Sequence, residues 1–263
     1  MRSLTPSCVA LGLLVLGSCS STGSRVRLGD VASRFAATEP LRSVRVAFPV
    51  GSARVLVAPA GSNEVRVSGE IRVVEERLLE WSVPPRFEEH VVAKIEGGEL
   101  IVGSAHDGSL ANDFSFSLEI EVPAQAALDV EGDLAVGNFA IELPEVGRLD
   151  ARVSTGNVSA RCDALAGPVE ATTGVGNVDI AVRSAAPQSG VRLATATGDV
   201  TLALPDAAEG SFDLTTSVGS VSAAARYGID VERNVTSARG RGGVGQSGPT
   251  YSLSASVGSV RLR

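Results

Sequence analysis

The sequence predicts an all-β protein, a parallel β-helix or β-solenoid with an irregular N-terminal β region. From residue 128 onward, a step of glycine, small polar residue and apolar residue recurs about every 20 residues, and a period of roughly 20–50 residues is typical of solenoid repeats. Around each step, apolar residues alternate with polar or small ones, as in strands with one buried face. Hydrophobic residues make up 44% of the chain but aromatic residues only 4%, so we expect an aliphatic core.

The N-terminal segment predicts export and a lipid anchor. Residues 1–18 are predicted to be a lipoprotein signal peptide, because Arg2 precedes the apolar run CVALGLLVLG (8–17), which suits a signal-peptide core but is too short to span a bilayer. The run ends in Leu16-Gly17-Ser18-Cys19, which resembles the lipobox of bacterial lipoproteins, and the resemblance implies acylation of Cys19. By the usual sorting convention, Ser20 then favours the outer membrane. The alternative is an ordinary secretory signal cut nearby, with Cys19 incidental.

The region between the anchor and the repeats divides into two parts. Residues 19–40 are small and polar without clear periodicity, and they predict a lipidated N-terminus and flexible tether. Residues 41–127 predict an N-terminal β region that starts or caps the solenoid. Within it we expect strands over 41–50, 65–74 and 114–123, a short helix over 75–81, and a hairpin over 91–104 that turns at Gly97-Gly98.

The repeats occupy residues 128–263, and each unit is predicted to turn at a glycine. The glycines are followed by Asn, Asp or Ser and then by Val or Phe, and they are Gly137, Gly156, Gly176, Gly198, Gly219 and Gly258. The long last interval corresponds to about two repeats, or to one repeat plus an insertion, and an arginine- and glycine-rich loop insertion is predicted over 233–248. Separate hairpins would give the same period, since Gly-Asn and Gly-Asp also form hairpin turns. The polar column favours a parallel stack, because asparagine and serine can hydrogen-bond between coils about 4.8 Å apart.

These repeats resemble a known bacterial family. The stretches VSTGNVSA, TGVGNVDI, TATGDVTL and TSVGSVSA are similar to the strand–corner–strand units of the bacterial putative-adhesin domain, an extracytoplasmic family of unknown function. The segments GQSGPTYSLSASVGSVRL (245–262) and FSFSLEIEVPAQAALDVEG (114–132) resemble the family's closing and opening patterns. The resemblance covers roughly 41–263 and implies a β-helical fold, here behind a lipoprotein signal peptide. The insertion over 233–248 departs from the family pattern.

Composition and motifs argue against several functional classes. The net charge of −7 and the pI near 5.0 argue against a nucleic-acid partner, which would require a basic surface. The G-x-G-x-x-G match at 240–245 is followed by a predicted loop and strand, whereas a dinucleotide site requires a helix there. We therefore predict no cofactor other than the covalent lipid on Cys19. Cys162 is expected to be a small buried hydrophobe, and His90 a surface residue.

One column of the repeats raises the question of a metal site. Six residues before three successive glycines stand Glu131, Asp150 and Glu170, which in register would form an outward acidic ladder. Carboxylate oxygens are ligands for a hard cation such as calcium, so weak cation binding is one hypothesis. The favoured interpretation is a solvated stripe whose repulsion is screened, and no metal site is predicted.

The predicted function is non-catalytic: an envelope-anchored lipoprotein that presents a binding or scaffolding surface. The other outward columns are small or hydroxylated, and the expected partners are the membrane, through the lipid, and an envelope protein or polysaccharide. One alternative is a polysaccharide-acting β-helix enzyme, which needs converging carboxylates or a basic residue in a groove built by long loops. Another is a hairpin-built β-barrel that carries an apolar ligand. At the last strand, Arg261 and Arg263 are expected to guard an open edge.

Overall fold

A computed structural model describes residues 25–36, 40–74, 90–105, 113–124, 127–187, 190–245 and 248–263. The predicted signal peptide, Cys19 and the predicted helix over 75–81 lie outside these residues. The described chain contains a three-residue 3-10 helix, Ala225–Tyr227, and otherwise β structure, so the all-β class is confirmed. The strands are β1 Arg25–Ala36, β2 Ser43–Val57, β3 Glu64–Val74, β4 Val91–Glu96, β5 Glu99–Ser104, β6 Phe114–Val122, β7 Leu128–Val136, β8 Phe139–Thr155, β9 Val158–Leu165, β10 Val169–Val175, β11 Val178–Ala185, β12 Val191–Thr197, β13 Val200–Ala203, β14 Gly210–Ala223, β15 Ile229–Arg233, β16 Ala238–Val244 and β17 Thr250–Leu262.

Successive repeats lie side by side in parallel and do not fold back into hairpins. β9 pairs with β11 in parallel, and Val158 stands opposite Val178. β10 pairs in the same way with β8 and β12. Residues one period apart are therefore neighbours, which argues against separate hairpins closed into a barrel. The hairpin predicted over 91–104 is confirmed as β4 and β5, which pair antiparallel through Gly97 and Gly98.

Each coil contributes one strand to each of two layers, and we call this assembly the coil stack. The first layer holds β5 and the segments that precede a corner glycine. In spatial order it consists of β5, the start of β2, β7, the end of β8, β10, β12, and the starts of β17 and β14. The second layer holds β3, β6 and the segments that follow a corner glycine. In spatial order it consists of β3, β6, the end of β2, the start of β8, β9, β11, β13, and the ends of β17 and β14.

The core lies between the layers and is mainly aliphatic. Along β9, for example, Val158, Ala160 and Cys162 are buried and alternate with exposed or half-buried residues, as a strand with one inward face requires. Aromatic rings cluster towards the two ends of the stack. Phe48, Phe114 and Phe116 pack together at one end, and Phe212, Tyr227 and Tyr251 at the other. These larger side chains cover the core at the two ends of the stack, where no further coil packs against it.

The last two coils are stacked out of chain order. β17 pairs with β12 and β13 on one side and with β14 on the other. The C-terminal coil therefore lies between the coils formed by 191–203 and 210–223. The expectation that Arg261 and Arg263 guard an open edge is wrong, because β17 is an inner strand and the Arg263 N–H donates to the Leu202 carbonyl at 2.9 Å.

Two segments expected to be irregular are strands. Within the loop expected over 233–248, residues 238–244 form strand β16, which pairs antiparallel with β15 and β14 and extends the first layer. Its glycines allow close packing, since a Cβ at Gly242 would lie 2.3 Å from the Gly228 carbonyl oxygen. Within the tether expected over 19–40, residues 25–36 form β1, which pairs antiparallel with β3. This pairing satisfies the edge of β3, which would otherwise be open.

Candidate functional site

The corners of the coil stack admit only glycine. Gly156 has φ +135°, and a Cβ on it would lie 1.6 Å from the carbonyl oxygen of Gly137 in the preceding coil. Such a φ is rare for residues with a side chain, so the corner requires glycine both for its backbone and for its space. The six glycines predicted from the repeats all lie at such corners. The structure adds a seventh that sequence reasoning missed, Gly51, and a Cβ at Gly137 would lie 1.4 Å from its carbonyl oxygen.

A line of polar side chains runs along these corners, and we call it the corner ladder. Its members follow the glycines in spatial order: Ser52, Asn138, Asn157, Asn177, Asp199, Ser259 and Ser220. Asn157 donates from its backbone N–H and its side-chain amide to Asn138 Oδ1, at 3.1 and 2.8 Å. The backbone N–H groups of Asn177, Asp199 and Ser259 donate in turn to the preceding Oδ1, at 2.9, 2.8 and 2.8 Å. Each side chain thus fixes the register of the next coil.

Buried threonines support the same corners from the inside. Thr173 Oγ1 donates to the Gly156 carbonyl at 2.9 Å, Thr195 to that of Gly176 at 2.9 Å, and Thr216 to that of Gly258 at 3.0 Å. All three threonines are buried. A carbonyl that lacks a donor costs stability where water cannot reach it, and each of these corner carbonyls has a buried hydroxyl as a donor.

The residues just before the corner glycines form an exposed row, which we call the rim row. Pairing places them next to one another across successive coils, in the order Val50, Val136, Thr155, Val175, Thr197, Val257 and Val218. Four of these valines are 47–54% exposed, and they account for four of the six large hydrophobic residues exposed in the described chain. Six steps of about 4.8 Å give a row about 29 Å long.

The predicted acidic ladder is in register, and two of its three carboxylates pair with arginines. Glu131, Asp150 and Glu170 are neighbours on the first layer. Arg45 Nε lies 3.1 Å from Glu131, and Arg152 Nη2 lies 3.0 Å from Asp150. Among the described residues, no group of three or more His, Cys, Asp or Glu side chains could hold a metal ion.

Asp199, the one carboxylate of the corner ladder, joins two coils. Its Oδ1 accepts the Ser259 N–H, and its Oδ2 lies 2.8 Å from Arg261 Nη1. The backbone hydrogen bond from Ser259, together with Arg261, lowers the pKa of Asp199 below its usual value. The carboxylate is therefore held in its charged form at the junction between the coil formed by 191–203 and the C-terminal coil.

Other residues singled out in the sequence take structural places. Cys162 is buried as predicted, and burial raises the pKa of its thiol to about 12, so it remains a neutral thiol. His90 is buried, not exposed, and packs on Phe114 with ring centroids 4.4 Å apart.

The described part of the chain has no helix with the length and apolar character needed to cross a bilayer. Cys19 lies outside this part.

Comparison with known proteins finds distant structural neighbours. No protein-family model and no curated protein matches the sequence. A putative cell adhesion protein from Clostridium sporogenes aligns over 89% of this chain and 98% of its own, with 15% identity and a TM-score of 0.46. A putative adhesin from Bacteroides fragilis covers 89% and 97%, with 9% identity and a TM-score of 0.28. A putative lipid binding protein from Parabacteroides distasonis covers 89% and 97%, with 11% identity and a TM-score of 0.26.

Proposed function

We propose that this protein is a non-catalytic lipoprotein of the bacterial cell envelope whose coil stack is a β-solenoid that serves as a binding scaffold. In this proposal Cys19 carries the lipid, the outer membrane holds the anchor, and an envelope protein or polysaccharide binds the exported stack. The polysaccharide-acting enzyme is disfavoured because it needs long loops around a groove, and the insertion that could supply them is largely the β15–β16 hairpin.

The rim row is the observation that carries the proposal. Exposed apolar residues on a monomer are normally scattered singly, whereas here four valines stand in one line along the corners. The glycines and the corner ladder beside them fix the backbone at each corner, so the row presents its side chains on a regular backbone. A row of this kind suits an extended partner that makes the same contact at each coil, and binding would cost little conformational entropy.

Two double variants test the scaffold. In Val136→Ser/Val175→Ser, two members of the rim row become polar; in the control Val92→Ser/Val235→Ser, two exposed valines outside the row change in the same way. Each full-length protein is produced in the native cell, crosslinked and captured with its partners. We expect the rim variant to lose the captured envelope material and the control to retain it. Equal capture by both variants, or capture of bulk envelope material alone, would contradict the proposal.

The anchor is tested separately by replacing Cys19 with serine. We expect the unmodified protein to take up an alkyne-tagged fatty acid and to fractionate with the outer membrane, while Cys19→Ser loses the label and leaves the membrane fraction. A wild-type protein that is exported without a label would exclude the lipoprotein, and a labelled protein in the inner membrane would exclude the proposed location.

A further inference from the structure

A second feature of the surface, distinct from the rim row, is a groove on the outer face of the second layer. It has a volume of about 610 Å³ and lies at the N-terminal end of the stack, where β3, β6, β2 and β8 run side by side. We call it the serine groove. The lining residues that matter for its chemistry are Ser52, Arg54, Arg66, Ser68, Ser117 and Glu119.

The floor of the serine groove is small and polar. Ser117 on β6 stands opposite Ser52 on β2, and Ser52 is adjacent to Asn138 of the next coil. Gly69, Ala53 and Ala140 complete the floor, and no lining residue is aromatic. A hydroxyl can both donate and accept a hydrogen bond, so this floor offers hydrogen bonds to a polar ligand alongside apolar surface from its alanines and Leu118.

The charged walls are only partly paired within the protein. Arg54 Nη2 lies 2.7 Å from Glu142, and Arg72 Nε lies 2.6 Å from Glu70, so these four charges balance in pairs. Arg66 differs, because its Nε is buried and has no hydrogen-bond partner among the described residues. A buried donor without an acceptor is costly, and a turn of the Arg66 side chain towards the groove would let a ligand supply the acceptor.

The strands beside Arg66 add a second reason to expect an anion. Arg34 on β1 stands directly opposite Arg66, and like charges in such cross-strand pairs are unfavourable. Glu121 stands opposite on the other side, in β6, so Arg66 lies between an arginine and a glutamate. Glu119, two pairs further along on the same face, stands opposite Ser68. Its carboxylate balances the remaining arginine charge and can accept hydrogen bonds from ligand hydroxyls.

We propose that the serine groove binds an acidic saccharide, with a carboxylate on Arg66 and sugar hydroxyls on the serines, Asn138 and Glu119. Guanidinium and carboxylate groups are complementary in charge and geometry, so the carboxylate of the ligand is placed on Arg66. The other polar groups of the groove are hydroxyls, an amide and a carboxylate. They suit a ligand rich in hydroxyls, because each sugar hydroxyl can then both donate and accept a hydrogen bond. The small floor lets a sugar ring lie directly against the sheet.

Calorimetric titration of the full-length, detergent-solubilised protein tests this inference with trigalacturonate, neutral maltotriose and inorganic phosphate as probes. We expect trigalacturonate to bind at least tenfold more tightly than maltotriose. We expect Arg66→Gln to weaken its binding at least tenfold. The matched control is Arg192→Gln, which removes the same charge from an exposed arginine on the other layer and should change binding less than twofold. Thermal melts of each variant establish that it is folded.

A second variant keeps the inference testable if Arg66→Gln is poorly folded. Ser117→Leu places a larger side chain on the exposed face of β6 without removing a charge, and we expect it to abolish trigalacturonate binding. No binding of trigalacturonate at millimolar concentration, or equal binding by wild type and Arg66→Gln, would overturn the inference. Equal affinity for phosphate would assign a simple anion site instead of a saccharide site. The rim variant Val136→Ser/Val175→Ser should bind trigalacturonate normally, so this test and that of the scaffold can fail independently.

Discussion

Replacing Gly156 with alanine should destabilise the protein far more than a glycine-to-alanine change in an open turn. The new Cβ would lie 1.6 Å from the Gly137 carbonyl oxygen, so two coils would have to separate at this corner. Separation breaks the hydrogen bond from Gly137 N–H to Thr155, that from Phe139 N–H to Asn157, and the ladder contact between Asn157 and Asn138.

The magnitude follows from these losses. A backbone conformation reserved for glycine costs an ordinary residue about 1–3 kcal/mol, and each hydrogen bond contributes about 0.5–1.5 kcal/mol net. One strained residue and three hydrogen bonds give a loss of roughly 2.5–7.5 kcal/mol in the free energy of unfolding. Because domains are typically stable by about 5–15 kcal/mol, the variant should unfold at a much lower urea concentration.

Urea unfolding followed by far-ultraviolet circular dichroism measures the effect, and Gly61→Ala is the control. Gly61 also has a positive φ, +85°, but no atom lies within 4 Å of the position of a Cβ. Replacing Gly61 with alanine therefore introduces backbone strain without a clash, and it should lower the free energy of unfolding by about 1–2 kcal/mol. Equal losses in the two variants would refute the close stacking of coils at the corners.

Three further predictions concern single side chains. Thr195→Val removes the hydrogen bond to the Gly176 carbonyl and should lower the free energy of unfolding by about 1 kcal/mol, measured by urea titration; no loss would mean that the buried carbonyl does not need this donor. The folded-state pKa of Asp199 is lowered, so the carboxylate stabilises the fold above about pH 4 and loses this effect as the pH falls through the folded-state pKa. The stability difference between wild type and Asp199→Asn should therefore shrink on acidification, and a difference independent of pH would contradict this. Cys162, buried with its pKa raised to about 12, should resist a thiol-specific disulfide reagent at pH 8 in the folded protein and react fully in urea; fast labelling of the folded protein would show that the site is open.

Much of the stack could be predicted because its corners obey strict local chemistry. Between Gly137 and Gly198 every coil repeats glycine, a small polar residue and an inward apolar residue, and parallel stacking is the arrangement in which asparagine can bond to its counterpart. The corner at Gly51 was missed because its repeat is separated from the others in the chain by β3 to β6. The serine groove could not be predicted from one segment, since the pairing of β3, β6, β2 and β8 brings its residues together.

The order of the last two coils could not be predicted because their corners are nearly identical. Residues 217–221 and 256–260 both read SVGSV, so either segment offers the same glycine, serine and valines to the coil formed by 191–203. The local sequence pattern therefore determines the shape of each coil, but it does not determine which coil packs next to it in the stack.

Asp199 supplies a physical reason for the order that is observed. Arg261 of the C-terminal coil lies 2.8 Å from the Asp199 carboxylate, and the residue opposite Arg261 in the outer coil is Ser222. If the two coils exchanged places, Ser222 would face Asp199, and the carboxylate would lose its guanidinium partner. Tyr251 of the inner coil stacks on Phe212 of the outer coil, with ring centroids 4.7 Å apart, but this contact joins the two coils themselves and would form in either order. The order of two almost identical repeats is thus selected by the ion pair of Asp199 with Arg261, while the hydrogen bonds common to all coils are satisfied in either order.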